Sequence, residues 1–321
     1  MAPPVGTDTL TALVRHFILP QITDNAYSNN NALLYRMLRT GKRMQQGGTH
    51  IEIPVLYPNG NTVGGSWSGY DILDTAPIDN VRNAYVDWKQ YYTSFAIDQS
   101  TLLRAQGNLA IANLLQHNGR ICQMDLANMI AVGLFSDGVT DPKGMDGLAA
   151  VISASNEYAG IDRSSETWWR AQVDSSTNAL SLAAMRGLFG NATIGGTHPT
   201  IWFGNGTNYN RLYALNLSTT GYGVSYNREP GGHDEVLAQA GFTNLLFENV
   251  PFIRDDNLPS TRILALNENF LELVVSPEGD FHVEPFQRPH NQMVYVSTIH
   301  WAGNLICPSP RNQAAFTAIS S

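Results

Sequence analysis

The residues that could carry chemistry are few and badly spaced for it. Gly65-Ser66-Trp67-Ser68-Gly69 has the outline of a turn that presents a nucleophilic serine. That turn needs serine at its centre, between a strand and a helix, and Trp67 stands there. Gly204-Asn205-Gly206 opens like a dinucleotide-binding loop, yet Tyr209 takes the place of the third glycine. None of the lysines, Lys42, Lys89 and Lys143, lies in the glycine-rich context of a phosphate loop. His233-Asp234-Glu235, and His282 with Glu284 and His290, come closest to metal-ligand sets. Neither has helical i, i+4 spacing or the partners of a zinc site, and both read as polar surface loops. Asp137 and Asp141 suit turn and cap duties better than calcium. Cys122 and Cys307 have no metal or redox spacing and read as buried thiols in a reduced compartment. The doublets Tyr91-Tyr92 and Trp168-Trp169 have the chemistry of a sugar platform, but read more simply as core or contact side chains. We assign no catalytic residue, no cofactor and no metal.

The elements around these residues are long. Residues 1 to about 46 form a lead-in, Asn-rich at first and then amphipathic from Asn31 to Met44, with Leu34, Met37 and Leu38 on one helical face. From Gly47 the period becomes two: Ile51, Ile53 and Val55 alternate with polar neighbours, and Pro54 confines the strand to an edge. A Gly-, Ser- and Asn-rich tip, Pro58 to Tyr70, carries Trp67 and Tyr70. A second extended run follows from Asn80 to Ile97, with Ala84, Val86 and Trp88 on one face. Two such runs make a long β-hairpin, and an isolated hairpin is marginal in water. A neighbouring subunit is the simplest surface for it, with Trp67, Tyr70 and Trp88 as inter-subunit contacts.

Asp98 is a good N-cap for the longest periodic segment, Gln99 to about Phe135. There Leu103, Ala110, Met124 and Ala131 keep heptad spacing, with Leu114, Ile121 and Phe135 beside them. Such a helix would be roughly 50 Å long, a spine. Ser136-Asp137-Gly138 ends it. Beyond Gly147 the pattern predicts helices over Leu180–Phe189 and Asn208–Leu217, and strands over Thr200–Phe203, Thr261–Leu266, Phe270–Val275 and Phe281–Val283. A Gly- and Tyr-rich loop spans Ser218 to Gly232. The run from Gln292 to Ile306 fits either helix or strand.

The 321 residues are 43% hydrophobic but only 14% charged, against roughly 25% in an ordinary soluble domain. Much uncharged polar surface is therefore meant to be covered. The net charge of −8 and the lack of a basic tail argue against a protein that grips nucleic acid by its phosphates. Nearby nucleic acid is more simply enclosed than bound. Arginine outnumbers lysine sixteen to three, a composition favoured at protein contacts. The first residues lack the pattern of a signal peptide, and no apolar run approaches the ~18 residues of a membrane span. We expect synthesis in the cytoplasm and no membrane partner.

The order of arm, hairpin, spine helix, mixed domain and returning strands resembles the Hong Kong 97-type major capsid proteins of tailed bacteriophages. Gly147-Leu148, Ile152, Tyr158-Ala159-Gly160-Ile161-Asp162-Arg163 and Trp168-Trp169-Arg170-Ala171 are similar to a segment of one branch of that family. So is Trp301-Ala302-Gly303-Asn304-Leu305-Ile306-Cys307, with Arg311-Asn312-Gln313 just after it. The resemblance covers nearly the whole chain. It implies an α+β fold with an N-terminal arm (1–46) and a β-hairpin extended loop (47–97). A peripheral domain built on the spine helix (98–152 and 276–321) and a mixed α/β axial domain (153–275) complete it.

It also implies a non-enzymatic shell protein of the virion, assembled in the host cytoplasm. Hexamers and pentamers of one chain would tile an icosahedral head around double-stranded DNA, without sequence-specific binding. The implied partners are further copies of the chain, a portal and a separate scaffolding protein, with room for a decoration protein. Some members of the family weld neighbours by an isopeptide bond from an extended-loop lysine to a peripheral-domain asparagine. Asn291 is suitably placed here, but the tip has no lysine and Lys89 lies far down the arm, so no crosslink is expected. Two other readings stand beside this one. An encapsulin-type compartment would enclose protein cargo in the same fold. A carbohydrate-active hydrolase would need a flanking carboxylate pair, and none presents itself.

Overall fold

The computed structural model describes residues 31–57, 66–73, 81–100, 108–220 and 245–320. Its first elements are α1 (Ala32–Thr40), β1 (Lys42–Met44), β2 (His50–Leu56), β3 (Val81–Asp87), β4 (Lys89–Asp98), α2 (Asn108–Gly133) and α3 (Leu148–Val151). Then come β5 (Gln172–Asp174), α4 (Leu182–Ala192), β6 (Ile201–Gly204), α5 (Gly206–Thr220), β7 (Leu245–Phe247), β8 (Val250–Arg254) and β9 (Ile263–Leu266). The described chain closes with β10 (Glu272–Val275), β11 (His282–Val283), β12 (Val294–Ile306) and β13 (Ala314–Phe316). The Asn-rich start, the tip residues Pro58 to Gly65, Leu103, His233-Asp234-Glu235 and most of the Gly- and Tyr-rich loop lie outside the described residues.

Helix α1 buries Ala32, Leu33, Leu34 and Met37 and stops at Thr40. The amphipathic reading to Met44 was too long: Lys42–Met44 is a strand, parallel to β10. Gly41 makes the break, because a side chain there would meet the Leu271 carbonyl at 3.0 Å. The N-cap residue Asn31 does not cap with its side chain. Buried Asp255 does so from far along the chain, its Oδ2 accepting from the Leu33 N–H at 3.4 Å. That satisfies one of the donors a helix start leaves orphaned. Asn31 instead accepts from Asn257 at 2.9 Å and donates to Asn128 of α2 at 3.2 Å.

The extended run from Asn80 to Ile97 is two strands, broken at Trp88. Strand β3 stays in the hairpin, in register with β2 from His50↔Asp87 to Leu56↔Val81. Strand β4 leaves it and pairs with β12 over ten residue pairs, Val294↔Asp98 to Gly303↔Lys89. Strand β12 is the axis of a five-stranded sheet in the order β1-β10-β12-β11, with β4 also on β12. Its ambiguous run resolves as strand because β-branched and aromatic residues alternate inward. Ser297, Ile299 and Trp301 are buried, and the residues between them are not.

Helix α2 lies against β4. Gln99 and Ser100 are also helical, and Asp98 accepts from the Ser100 N–H at 3.2 Å. The 26 residues from Asn108 run about 39 Å. The buried face is Cys122, Leu126, Ala127, Ile130, Ala131 and Leu134. The heptad row read from the sequence misplaces Ile121, which is 45% exposed. A heptad seam suits a helical partner, whereas a helix laid on a sheet buries the wider face of a 3.6-residue period. The helix ends at Gly133, two residues before Phe135, where a Cβ would lie 2.6 Å from the Tyr91 hydroxyl.

A second, mixed sheet has the order β5-β13-β9-β6-β8-β7, with its own core of Met185, Leu188, Trp202, Leu212, Phe252 and Phe316 against α4 and α5. Ser181 caps α4 by accepting from the Ala184 N–H at 3.2 Å. The strands predicted over Thr261–Leu266 and Phe270–Val275 are β9 and β10, and they join different sheets. A short 3-10 turn, Glu268–Phe270, carries the chain across.

Burial pushes the Asp255 carboxyl up from 3.8 to about 6, while the bonds from Asn257 and Leu33 pull the other way. A raised acid means that the folded state binds the proton more tightly. Its contribution to stability is therefore full below about pH 4 and lost as pH rises through about 6. Asp255→Asn removes this titration. We expect the wild type to lose roughly 3 kcal/mol relative to the variant between pH 3 and pH 7.5, read from paired thermal melts.

Candidate assembly surface

The hairpin is the feature that a lone subunit explains least, and its two halves behave differently. Ile51, Ile53 and Val55 of β2, with Ala84 and Val86 of β3, form one buried face continuous with the core of Tyr158, Ile161 and Trp169. The stem thus lies on its own subunit rather than on a neighbour. The Tyr85 N–H donates to the Ala159 carbonyl at 3.2 Å. Arg82 pairs with Glu166 at 3.0 Å, and the Tyr57 ring stacks on Trp168 at 5.6 Å and 26°. Trp168 is itself fixed by donating to Glu166 Oε2 at 2.7 Å.

The turn that receives the stem is shaped for it. Gly160 has φ +75°, and a Cβ there would come within 2.7 Å of the Tyr85 ring. Under this turn lies Arg163, fully buried. It donates to the carbonyls of Ala150 (3.0 Å), Val151 (2.6 Å) and Ser153 (3.0 Å), with its guanidinium 5.1 Å above the Tyr158 ring. Burial pulls Arg163 down to about 10 and pushes the Tyr158 hydroxyl well above its ordinary value. That hydroxyl accepts from the Cys307 N–H at 3.0 Å, and burial takes the Cys307 thiol up to about 12. This is an inert polar core, which joins α3 and the stem to the end of β12.

The tip is the opposite. Leu56, Trp67, Tyr70, Ile72, Leu73 and Val81 are all more than half exposed, Tyr70 and Ile72 completely. A tight turn organises it: the Asp71 N–H donates to the Ser68 carbonyl at 3.0 Å, and the Ser68 N–H to Asp71 Oδ2 at 2.8 Å. Of the three predicted contacts, Trp67 and Tyr70 therefore stand on the open tip. Trp88 does not join them. It is half-buried at the stem, with its Nε1 donating to the Gly48 carbonyl at 3.0 Å. A second exposed apolar stripe, missed in the sequence, runs along the outer face of α2 through Ile121, Met129 and Val132. The three lie at helical spacing, but the heptad reading had placed Ile121 inside.

The remaining chemical motifs resolve as structure. Asn205 caps α5 by accepting from the Asn208 N–H at 3.0 Å, and a Cβ at Gly204 would strike Phe252. Asp137 accepts from the Val139 and Thr140 N–H groups, bonds that draw its carboxyl below its ordinary value. Lys89 is tied down, donating to the Pro142 carbonyl at 2.8 Å. Among the described residues, no helix is long and apolar enough to cross a membrane.

No protein-family model and no curated protein matches the chain. Solved structures do match. The capsid asymmetric unit of cyanophage A-1(L) is similar at TM-score 0.67 and 16% identity, over 92% of this chain and 94% of that one. The SrpI encapsulin of Synechococcus elongatus is similar at TM-score 0.58 and 11% identity, over 89% and 88%. The capsid of a native GTA particle is similar at 0.57 and 11%, over 89% and 91%. The chain has the Hong Kong 97-type capsid fold.

Gly160→Val should force the stem off its turn, because a branched side chain meets both a left-handed φ and the Tyr85 ring. We expect a loss of about 3 kcal/mol or more in denaturant melts. Limited proteolysis should then cut within 47–97 faster than in the wild type.

Proposed function

We propose that this chain is the major capsid protein of a tailed bacteriophage, a non-enzymatic tile of the virion. Hexamers and pentamers of it close an icosahedral head around double-stranded DNA. The observation that carries the reading is the divided hairpin, whose stem is built into its own subunit while its tip carries the exposed apolar side chains of Trp67, Tyr70, Ile72 and Leu73. Soluble monomers rarely leave such a patch uncovered. A second copy is the partner that a self-tiling fold supplies, and Trp67 and Tyr70 are the contacts we assign to it. The net charge of −8 suits a wall that encloses DNA without gripping it.

In this reading residues 1–46 are the arm and 47–97 the extended loop. Residues 98–152 and 276–321 form the peripheral domain, and 153–275 the axial domain. Assembly takes place in the host cytoplasm, guided by a separate scaffolding protein and closed on a portal. An encapsulin-type compartment is the second reading, supported by the likeness to the Synechococcus shell.

Negative-stain microscopy with the absorbance ratio of purified particles tests both readings. DNA-filled icosahedral heads support the capsid, small shells packed with protein support the compartment, and monomers that assemble under no condition overturn both. The double variant Trp67→Ser, Tyr70→Ser should melt within about 1 kcal/mol of the wild type, since both side chains are exposed, and yet form no shells. Mature particles boiled in detergent should run as one band near 35.2 kDa. A covalent ladder would refute the absence of crosslinks.

A further inference from the structure

Three separate parts of the fold hold helix α1. Arg36, in its second turn, pairs with Glu268 of the crossover between the two sheets. Asn31, at its start, reaches Asn128 on α2. The loop after β8 takes the same start through two side chains. Asn257 donates to Asn31 at 2.9 Å, and Asp255 accepts from the Leu33 N–H at 3.4 Å. Asp255 is the unusual member of this set. It is 1% exposed, and every group that donates to it is neutral. These are the Leu33 N–H, the Asn257 N–H at 3.1 Å and the Asn257 side-chain amide at 3.0 Å.

A buried carboxylate needs a cation or a proton to offset its lost hydration. The charged groups on the elements around Asp255 supply no cation. Arg254, at the end of β8, forms two bonds to Asp256 instead, at 2.9 and 2.8 Å. Asp256 itself adds a like charge beside Asp255. On α1, Arg36 is directed to Glu268 and Arg39 to the Tyr35 hydroxyl. From α2 comes the neutral Asn128, and strand β6, whose Gly204 carbonyl accepts from the Asp255 N–H at 2.9 Å, carries no titratable side chain. A proton is what remains. With it, the carboxyl stays buried and still accepts from Leu33. Without it, water is the available relief. The first turn of α1 is the cheapest cover to lift, because its bond to Asp255 is the longest of the three and helix ends open most readily. Arg36 and buried Met37 keep the rest of the helix in place.

We propose that Asp255 is a proton-operated latch on the start of α1: protonated, it holds Asn31–Leu34 against the loop after β8, and ionised, it lets them open. Burial raises this carboxyl from 3.8 to about 6, so the closed latch binds the proton more tightly than the open one. Closure is therefore full below about pH 4 and lost as pH rises through about 6. The latch is independent of whether the chain builds a phage head or a compartment.

The test is hydrogen exchange of the 321-residue chain from about pH 4 to about pH 8, corrected for the intrinsic rate and read at single residues by fragmentation mass spectrometry. Protection of the Leu33 and Tyr35 amides should fall at least about tenfold over that range, while Ile299 and Trp301 of β12 stay more protected throughout. Asp255→Asn and Asp255→Ser each keep a neutral capping oxygen and should abolish the step. Asp256→Asn should keep it and move its midpoint to lower pH, since a like charge is removed. A wild type without the step would overturn the proposal, as would a step of equal size in both neutral variants. Leu33 and Tyr35 amides as protected as those of Ile299 and Trp301 at every pH would do so too, because the start of α1 would then have no opening of its own. If neither neutral variant folds, Asp256→Asn decides: an unmoved midpoint assigns the step to another group and refutes the latch.

Discussion

Strand β12 cannot be removed from this fold without undoing most of it. From Val294 to Gly303 it bonds β4 on one edge, while on the other it bonds β11 at Ile299 and His300 and β10 from Gly303 to Ile306. A strand paired on both edges leaves few backbone groups orphaned. Its inward residues, Ile299 and Trp301, meet the buried face of α2 in one core. Its C-terminal end delivers Cys307 to the Tyr158 hydroxyl, above the buried Arg163. Through that contact the sheet, the spine helix and the turn under the hairpin stem become one packed unit.

The hairpin follows from the same constraint. Strand β4 pairs with β12, so the chain entering it from β3 must turn at Trp88, and the indole bond to Gly48 closes the base of the stem. The stem then rests on the turn at Tyr158–Ile161, which a left-handed glycine shapes. Trp67, Tyr70 and Ile72 are, by contrast, largely exposed. A rigid base and an apolar tip suit a projecting element that is to be covered from outside, and the low charge of the chain fits a surface largely buried in contacts.

The sequence was most legible where a period is strict. The alternation of buried and exposed side chains along β2 follows directly from Ile51, Ile53 and Val55, and the helix read over Leu180–Phe189 is α4, Leu182–Ala192. The long spine helix was legible as an element but not as an orientation. Its inner face is chosen by β4, which heptad counting cannot see. Strands β5, β7, β8 and β13 were missed, being three to five residues long. Segments that short owe their conformation to their neighbours in the sheet, with little periodic pattern of their own.

From composition and periodicity alone came the alternating stem, the exposed tip, the spine and the absence of any motif with catalytic spacing, because each depends on residues near one another in the chain. Tertiary structure decided everything that depends on distant partners. It placed Asp255 at the start of α1, withdrew Trp88 from the open surface and set His300 rather than His290 beside His282. Local sequence carries the free energy of turns, caps and amphipathic faces. Which face meets which, and which buried polar group finds its partner, is fixed by long-range register, and that register exists only once the chain has folded.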